Sequence, residues 1–132
     1  MRRTAQKKLL AIAAAVECLA GVAIILAPGS AIALLLGVEA TRAAMMIGRL
    51  LGVALLSLGI ACLGAATDTG GSARTGTLRA ITLYNAGVGL ALIMFAATGM
   101  TAGLLAWIAG ILHLGLAAAF AVSLRHSGNA RP

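Results

Sequence analysis

The chain has 132 residues, of which 61% are hydrophobic and 10% charged, whereas a soluble domain carries about 25% charged residues. One compact unit of this length has too little interior to hide so many apolar side chains from water, which excludes a soluble globular protein. The lack of polar residues excludes a disordered chain, and two cysteines in apolar surroundings, Cys18 and Cys62, make no disulfide scaffold. Ten Lys and Arg against three Asp and Glu give a net charge of +7. These cations flank the apolar runs, so their expected counter-charge is the lipid head group and not nucleic acid. The composition thus predicts one integral membrane domain over residues 1–132, with the lipid bilayer as its main partner and no cofactor implied.

A membrane-spanning helix needs about 20 mostly apolar residues. The first such run is 9–27, broken only by Glu17 and closed by Pro28-Gly29-Ser30, a tripeptide that ends helices. The basic start at Arg2 to Lys8 and the triplet Ala31-Ile32-Ala33 have the outline of a cleavable signal. The length of the run and its Glu favour a retained span instead. Residues 31–46 are ambiguous, because their apolar part is too short to cross and Glu39 and Arg42 follow it directly. They read equally as an interfacial or re-entrant segment and as an extension of the next helix.

The second span is 47–66, ending in the polar stretch Thr67 to Ser72. From Ala80 to Leu124 there is no charge, and this length is roughly twice what a bilayer needs, so the chain has to turn at Thr98-Gly99-Met100-Thr101. That gives a third span at 78–97 and a fourth at 102–124, with Thr77 and Thr101 standing where N-caps are expected. The predicted fold is an all-α transmembrane four-helix bundle with a short interfacial or re-entrant segment after the first helix. Gly52-Val53-Ala54-Leu55 and Gly87-Val88-Gly89-Leu90, each leading to Ala-Ala-Thr, hint at an internal repeat.

Eight Lys and Arg lie by the chain ends and the loop between the second and third spans, and only Arg42 and Arg49 on the other side. This asymmetry predicts that both termini are cytoplasmic, in a bacterial inner membrane.

An ionisable group deep in hydrocarbon is by default a functional candidate. Glu17 lies about 12 Å and His113 about 16 Å from the cytoplasmic ends of their helices, with Ser57 about 13 Å and the pair Tyr84-Asn85 about 10 Å deep. Each helix contributes to one midplane polar layer. Glu17 shares its face with Ala13, Ala14, Ala20 and Gly21, and His113 shares its face with Ala106, Ala109, Gly110 and Ala117. Small residues of this kind admit a neighbouring helix. If the first and fourth helices are neighbours, Glu17 and His113 meet and can share a proton, with Asn85, Tyr84 and Ser57 orienting them. The competing reading is a layer that only fixes helix register.

Arg42 and Arg49, one heptad apart on the outer side, read as interfacial anchors or as the mouth of an anion vestibule. Gly48-x-x-x-Gly52 and Ala106-x-x-x-Gly110 are spaced for close helix packing within the bundle, or for contact with a second copy or another membrane protein. Trp107 has the position of an interfacial aromatic. No zinc, phosphate-loop or redox-cysteine motif is present, and His113 is the one deep histidine, so neither an enzyme nor a metal site is expected.

In size and in Glu17 the chain resembles the small multidrug resistance transporters. It departs from them in having so few aromatics, Tyr84, Phe95, Trp107 and Phe120, and in its strong charge asymmetry. Its Gly-punctuated helices, Pro28-Gly29 stop, Tyr84-Asn85 and single His113 make it similar to small bacterial four-span membrane proteins. That resemblance implies a class and a location without an activity. Two functions follow from the residues: a non-enzymatic packing or accessory subunit, and, as the alternative, a small proton-coupled carrier using the Glu, His and Asn of the midplane layer.

Overall fold

The computed structural model describes residues 2–69, 72–100 and 103–128. They form five helices: α1 (Arg2–Leu26), α2 (Pro28–Leu36), α3 (Arg42–Thr67), α4 (Ser72–Ala97) and α5 (Leu104–Gly128). All except α2 are long and apolar enough to cross a membrane. The protein is therefore a multi-pass membrane protein built as an all-α four-helix bundle.

Helix boundaries extend beyond the apolar runs. α1 begins at Arg2, α3 at Arg42 and α4 at Ser72, because Lys, Arg and Ala are good helix formers and carry the helix past the hydrocarbon edge. Thr77 is consequently inside α4 and does not cap it; Thr101 lies outside the described residues. The ambiguous stretch 31–46 divides in two. Pro28 ends α1 and, with its ring fixing φ, opens α2, which runs to Leu36 and stops at Gly37 in the left-handed region (φ 70°). Residues from Arg42 onward belong to α3, capped by the Thr41 hydroxyl, which accepts from the Ala44 amide at 3.1 Å. α4 is closed off beyond Ala97 by Gly99, φ 72°. There the Met100 amide donates to Phe95 O at 2.9 Å and the Gly99 amide to Ala96 O at 3.3 Å, a Schellman closure.

The four spans pack as two antiparallel pairs, α1 with α3 and α4 with α5, joined to each other through fewer contacts. Each pair is drawn together by facing glycines. A Cβ on Gly21 would lie 2.7 Å from Gly52 O, and one on Gly89 would lie 3.0 Å from Gly110 O. Close backbone approach of this kind is the main attraction between helices in lipid, where burying apolar surface gains nothing.

The two pairs share one burial pattern and in that sense repeat. Buried positions of α1 recur in α4 at one constant offset: Gln6 with Arg74, Leu10 with Leu78, Ala13 with Ile81, Glu17 with Asn85, Gly21 with Gly89. Those of α3 recur in α5: Gly48 with Ala106, Gly52 with Gly110, Gly59 with Ala117, Cys62 with Phe120. The repeat hinted by the Gly-Val motifs matched α3 to α4, two helices of opposite direction; the burial pattern instead matches helices of the same direction. α2 has no counterpart in the second repeat. It sits at one end of the bundle against α3 and α5, where a Cβ on Gly48 would touch Pro28 at 3.4 Å and one on Gly103 would lie 2.7 Å from Leu35 O. At the opposite, basic end the two pairs meet in a core of Leu10, Ala13, Ala14, Cys62, Ala65, Ala66, Leu78, Ile81 and Phe120.

Candidate functional site

Glu17 stands on the buried face of α1, 3% exposed, with Ala13, Ala14 and Gly21, while Leu19 and Leu26 on the opposite face point outward. Asn85 holds the equivalent place on α4 and is 1% exposed. Its Nδ2 donates to Ile81 O at 2.8 Å, which fixes the amide so that Oδ1 faces α5 and meets His113 Nδ1 at 2.7 Å. Oδ1 is an acceptor only, so the shared proton belongs to His113 Nδ1. In the neutral ring this leaves Nε2 as an acceptor.

Tyr84, the next residue before Asn85, joins the two halves. Its hydroxyl interacts with the Glu17 carboxyl, and its ring stands edge-on to the His113 imidazole, with centroids 5.8 Å apart and planes at 82°. The result is one chain of contacts, Glu17 to Tyr84 to His113 to Asn85, running from the first repeat into the second. Comparison of the sequence and fold with protein-family models, curated proteins and solved structures finds no match. The geometry alone therefore carries the functional reading.

Two expectations change. Glu17 interacts with Tyr84 and not with His113, whose Nδ1 is taken up by Asn85 Oδ1 on α4. His113 is accordingly held against α4. Ser57 does not join the layer: it is exposed, and its hydroxyl donates to Val53 O in its own helix at 2.9 Å. Depth along a helix does not fix the side on which a residue falls, and Ser57 is on the side of α3 away from Gly52 and Gly59.

The packing glycines and Ala106 are all buried at helix contacts: Gly21 and Gly52 between α1 and α3, Gly110 against Gly89, and Gly48 against α2. Arg42 and Arg49 are both exposed on α3 toward the α2 end, and Trp107 is 40% exposed at the same end. Cys18 and Cys62 are free thiols on the two sides of the α1 and α3 seam.

Sequence reasoning missed two buried polar side chains at the basic end, Gln6 and Arg74, which it treated as solvated flank and loop. Gln6 Nε2 donates to Ser123 O at 3.2 Å, tying α1 to α5. The available signal was helical spacing, since each lies about three turns before an inward polar residue, Glu17 and Asn85 respectively.

Proposed function

We propose that this is a small proton-coupled membrane carrier, in which Glu17 takes up and releases a proton at the interface between the two repeats. The carrying observation is the contact chain Glu17, Tyr84, His113, Asn85, which crosses from one repeat to the other about halfway along the helices. Two helix pairs of the same topology, related about an axis along the membrane normal, are a recurring plan of secondary transporters, whose sites lie between the repeats at that depth. An intramembrane carboxyl beside a phenol supplies a group that changes charge, and the imidazole edge-on to that phenol supplies a second. Loss or gain of the Glu17 charge changes the bond to Tyr84 and so the force between the pairs. The eight-to-two distribution of Lys and Arg supports a bacterial inner-membrane location with the termini and the α3 to α4 turn in the cytoplasm.

The test is the distance between the pairs, read by paired spin labels on α1 and α5 in lipid nanodiscs across the pH range in which the protein stays folded. A pH-dependent distance change in the wild type that is absent in Glu17→Gln is the expected result. An unchanged distance in both would leave the layer as a device for helix register.

A second reading, an accessory subunit that docks on another membrane protein or on a second copy, is favoured by one feature. Ala54, Ser57, Ala61 and Gly64 form a stripe of small exposed residues on α3, and a Cβ on Gly64 would meet nothing within 4 Å. Spontaneous disulfide cross-linking of an Ala61→Cys variant in membranes supports that reading.

A further inference from the structure

At the basic end a cleft of about 250 Å³ opens between the start of α1 and the turn from α3 into α4, lined by Arg3, Thr4, Lys7, Asp68, Thr69 and Arg74. Three of these are cations and one is a carboxylate. Arg3 and Lys7 are one helical turn apart, so both reach the same side of α1. The Asp68 carboxylate already accepts the Arg74 backbone amide at 3.3 Å, and Arg74 Nη2 donates to the Asp68 carbonyl. Arg74 is only 4% exposed, yet its Nε is shielded from water and has no hydrogen-bond partner. A buried guanidinium is costly unless its charge is compensated, and the cleft beside it holds one carboxylate against three cations.

We propose that this cleft is a phosphate-binding site, filled by the phosphate of an anionic phospholipid head group or by free inorganic phosphate. Tetrahedral oxyanions match what is present: cationic N–H donors from Arg3 and Lys7, hydroxyls from Thr4 and Thr69, and the added positive charge of Arg74, while the Asp68 carboxylate is engaged by the Arg74 backbone amide. The cleft is smaller than the roughly 300–1,000 Å³ of a drug-sized ligand pocket, which suits a head group and not a whole lipid. It also lies where the apolar spans give way to polar chain, at the level of the bilayer's own phosphates. This site is independent of the midplane layer, so it stands or falls apart from the proton-coupled reading.

Native mass spectrometry of the detergent-solubilised full chain tests it, with phosphatidylglycerol, phosphatidylcholine and inorganic phosphate added separately. The variants are Lys7→Gln, Arg3→Gln and the control Arg125→Gln, which removes an exposed cation at the same end outside the cleft. Arg74 is left intact because its bonds to Asp68 hold the turn. Each cleft variant is expected to weaken binding about fivefold, the effect of one basic residue near an anionic head group, and Arg125→Gln much less. Preference for phosphatidylglycerol over phosphatidylcholine assigns the lipid as the source; binding of inorganic phosphate with the same Lys7 dependence assigns the free anion. No saturable binding of either, or equal losses in Arg125→Gln and Lys7→Gln, overturns the site in favour of diffuse surface charge.

Discussion

Gly21 and Gly52 face each other across α1 and α3 so closely that neither has room for a side chain: a Cβ on Gly21 would stand 2.7 Å from Gly52 O, and one on Gly52 would stand 2.8 Å from Gly21 O. Gly89 and Gly110 repeat the relationship across α4 and α5, where each added Cβ would also run into Leu114 or Ile93. Two reciprocal glycine contacts set the approach of both helix pairs and thereby the depth at which Glu17 and Asn85 are presented.

Gly21→Leu and Gly110→Leu are therefore expected to destabilise the bundle by about 1–3 kcal/mol or more, since neighbouring backbone has to move. Leu19→Ala and Leu104→Ala remove side chains that are 72% and 73% exposed and should cost less than about 0.5 kcal/mol. Unfolding in mixed micelles of the four variants measures the difference, and equal losses would mean that the packed faces are assigned wrongly.

A second pair of variants separates backbone geometry from packing. Gly99 has φ 72° and open space around it, so Gly99→Ala is expected to cost about 1 kcal/mol through the left-handed backbone alone. Gly87 lies within α4 with nothing within 4 Å, and Gly87→Ala should stabilise by up to about 1 kcal/mol by restricting the unfolded chain. Opposite signs from the same chemical change are the outcome to look for in thermal unfolding.

Double-mutant cycles report which members of the polar layer interact. Glu17→Gln with Tyr84→Phe, and Asn85→Ala with His113→Ala, should each give an interaction of about 0.6 kcal/mol, up to about 1.7 kcal/mol, the range for hydrogen bonds between membrane helices. Glu17→Gln with His113→Ala should be closer to additive, because these two are linked only through Tyr84. Stronger coupling between Glu17 and His113 than between Glu17 and Tyr84 would contradict the pairing.

Single cysteines introduced at Ser72, Ser127 and Thr41 in a chain carrying Cys18→Ala and Cys62→Ala test the orientation. The first two should resist a membrane-impermeant thiol reagent applied from the periplasmic side of intact cells, and the third, which caps α3 at the α2 end, should react. The reverse pattern would place the termini outside.

Much of this fold is legible in the sequence, for a physical reason. The four apolar runs are long enough that hydrocarbon thickness alone identifies them, and the faces bearing Glu17 and His113 follow from helical period. Neighbour relations were not legible. Periodicity says that Glu17 faces inward with small residues, but the side chain it meets, Tyr84, comes from α4, a helix that α1 hardly touches because the glycine seams link α1 to α3 and α4 to α5. Nor did depth predict Ser57, which shares the level of the layer and points away from it. α2 was obscured because Pro28, a helix terminator in sequence, serves equally as a helix start, and Arg74 because a cation in a polar loop gives no sign that it will be buried.

The most direct measurement is pH-difference infrared spectroscopy of the reconstituted protein, following the C=O stretch of protonated carboxyl groups. A pH-dependent carboxyl band absent from Glu17→Gln and displaced in Tyr84→Phe, which removes the hydroxyl beside it, is the result predicted for a proton-binding Glu17 at the repeat interface. A wild-type spectrum with no pH-dependent band assignable to Glu17, while the protein stays folded, would contradict it.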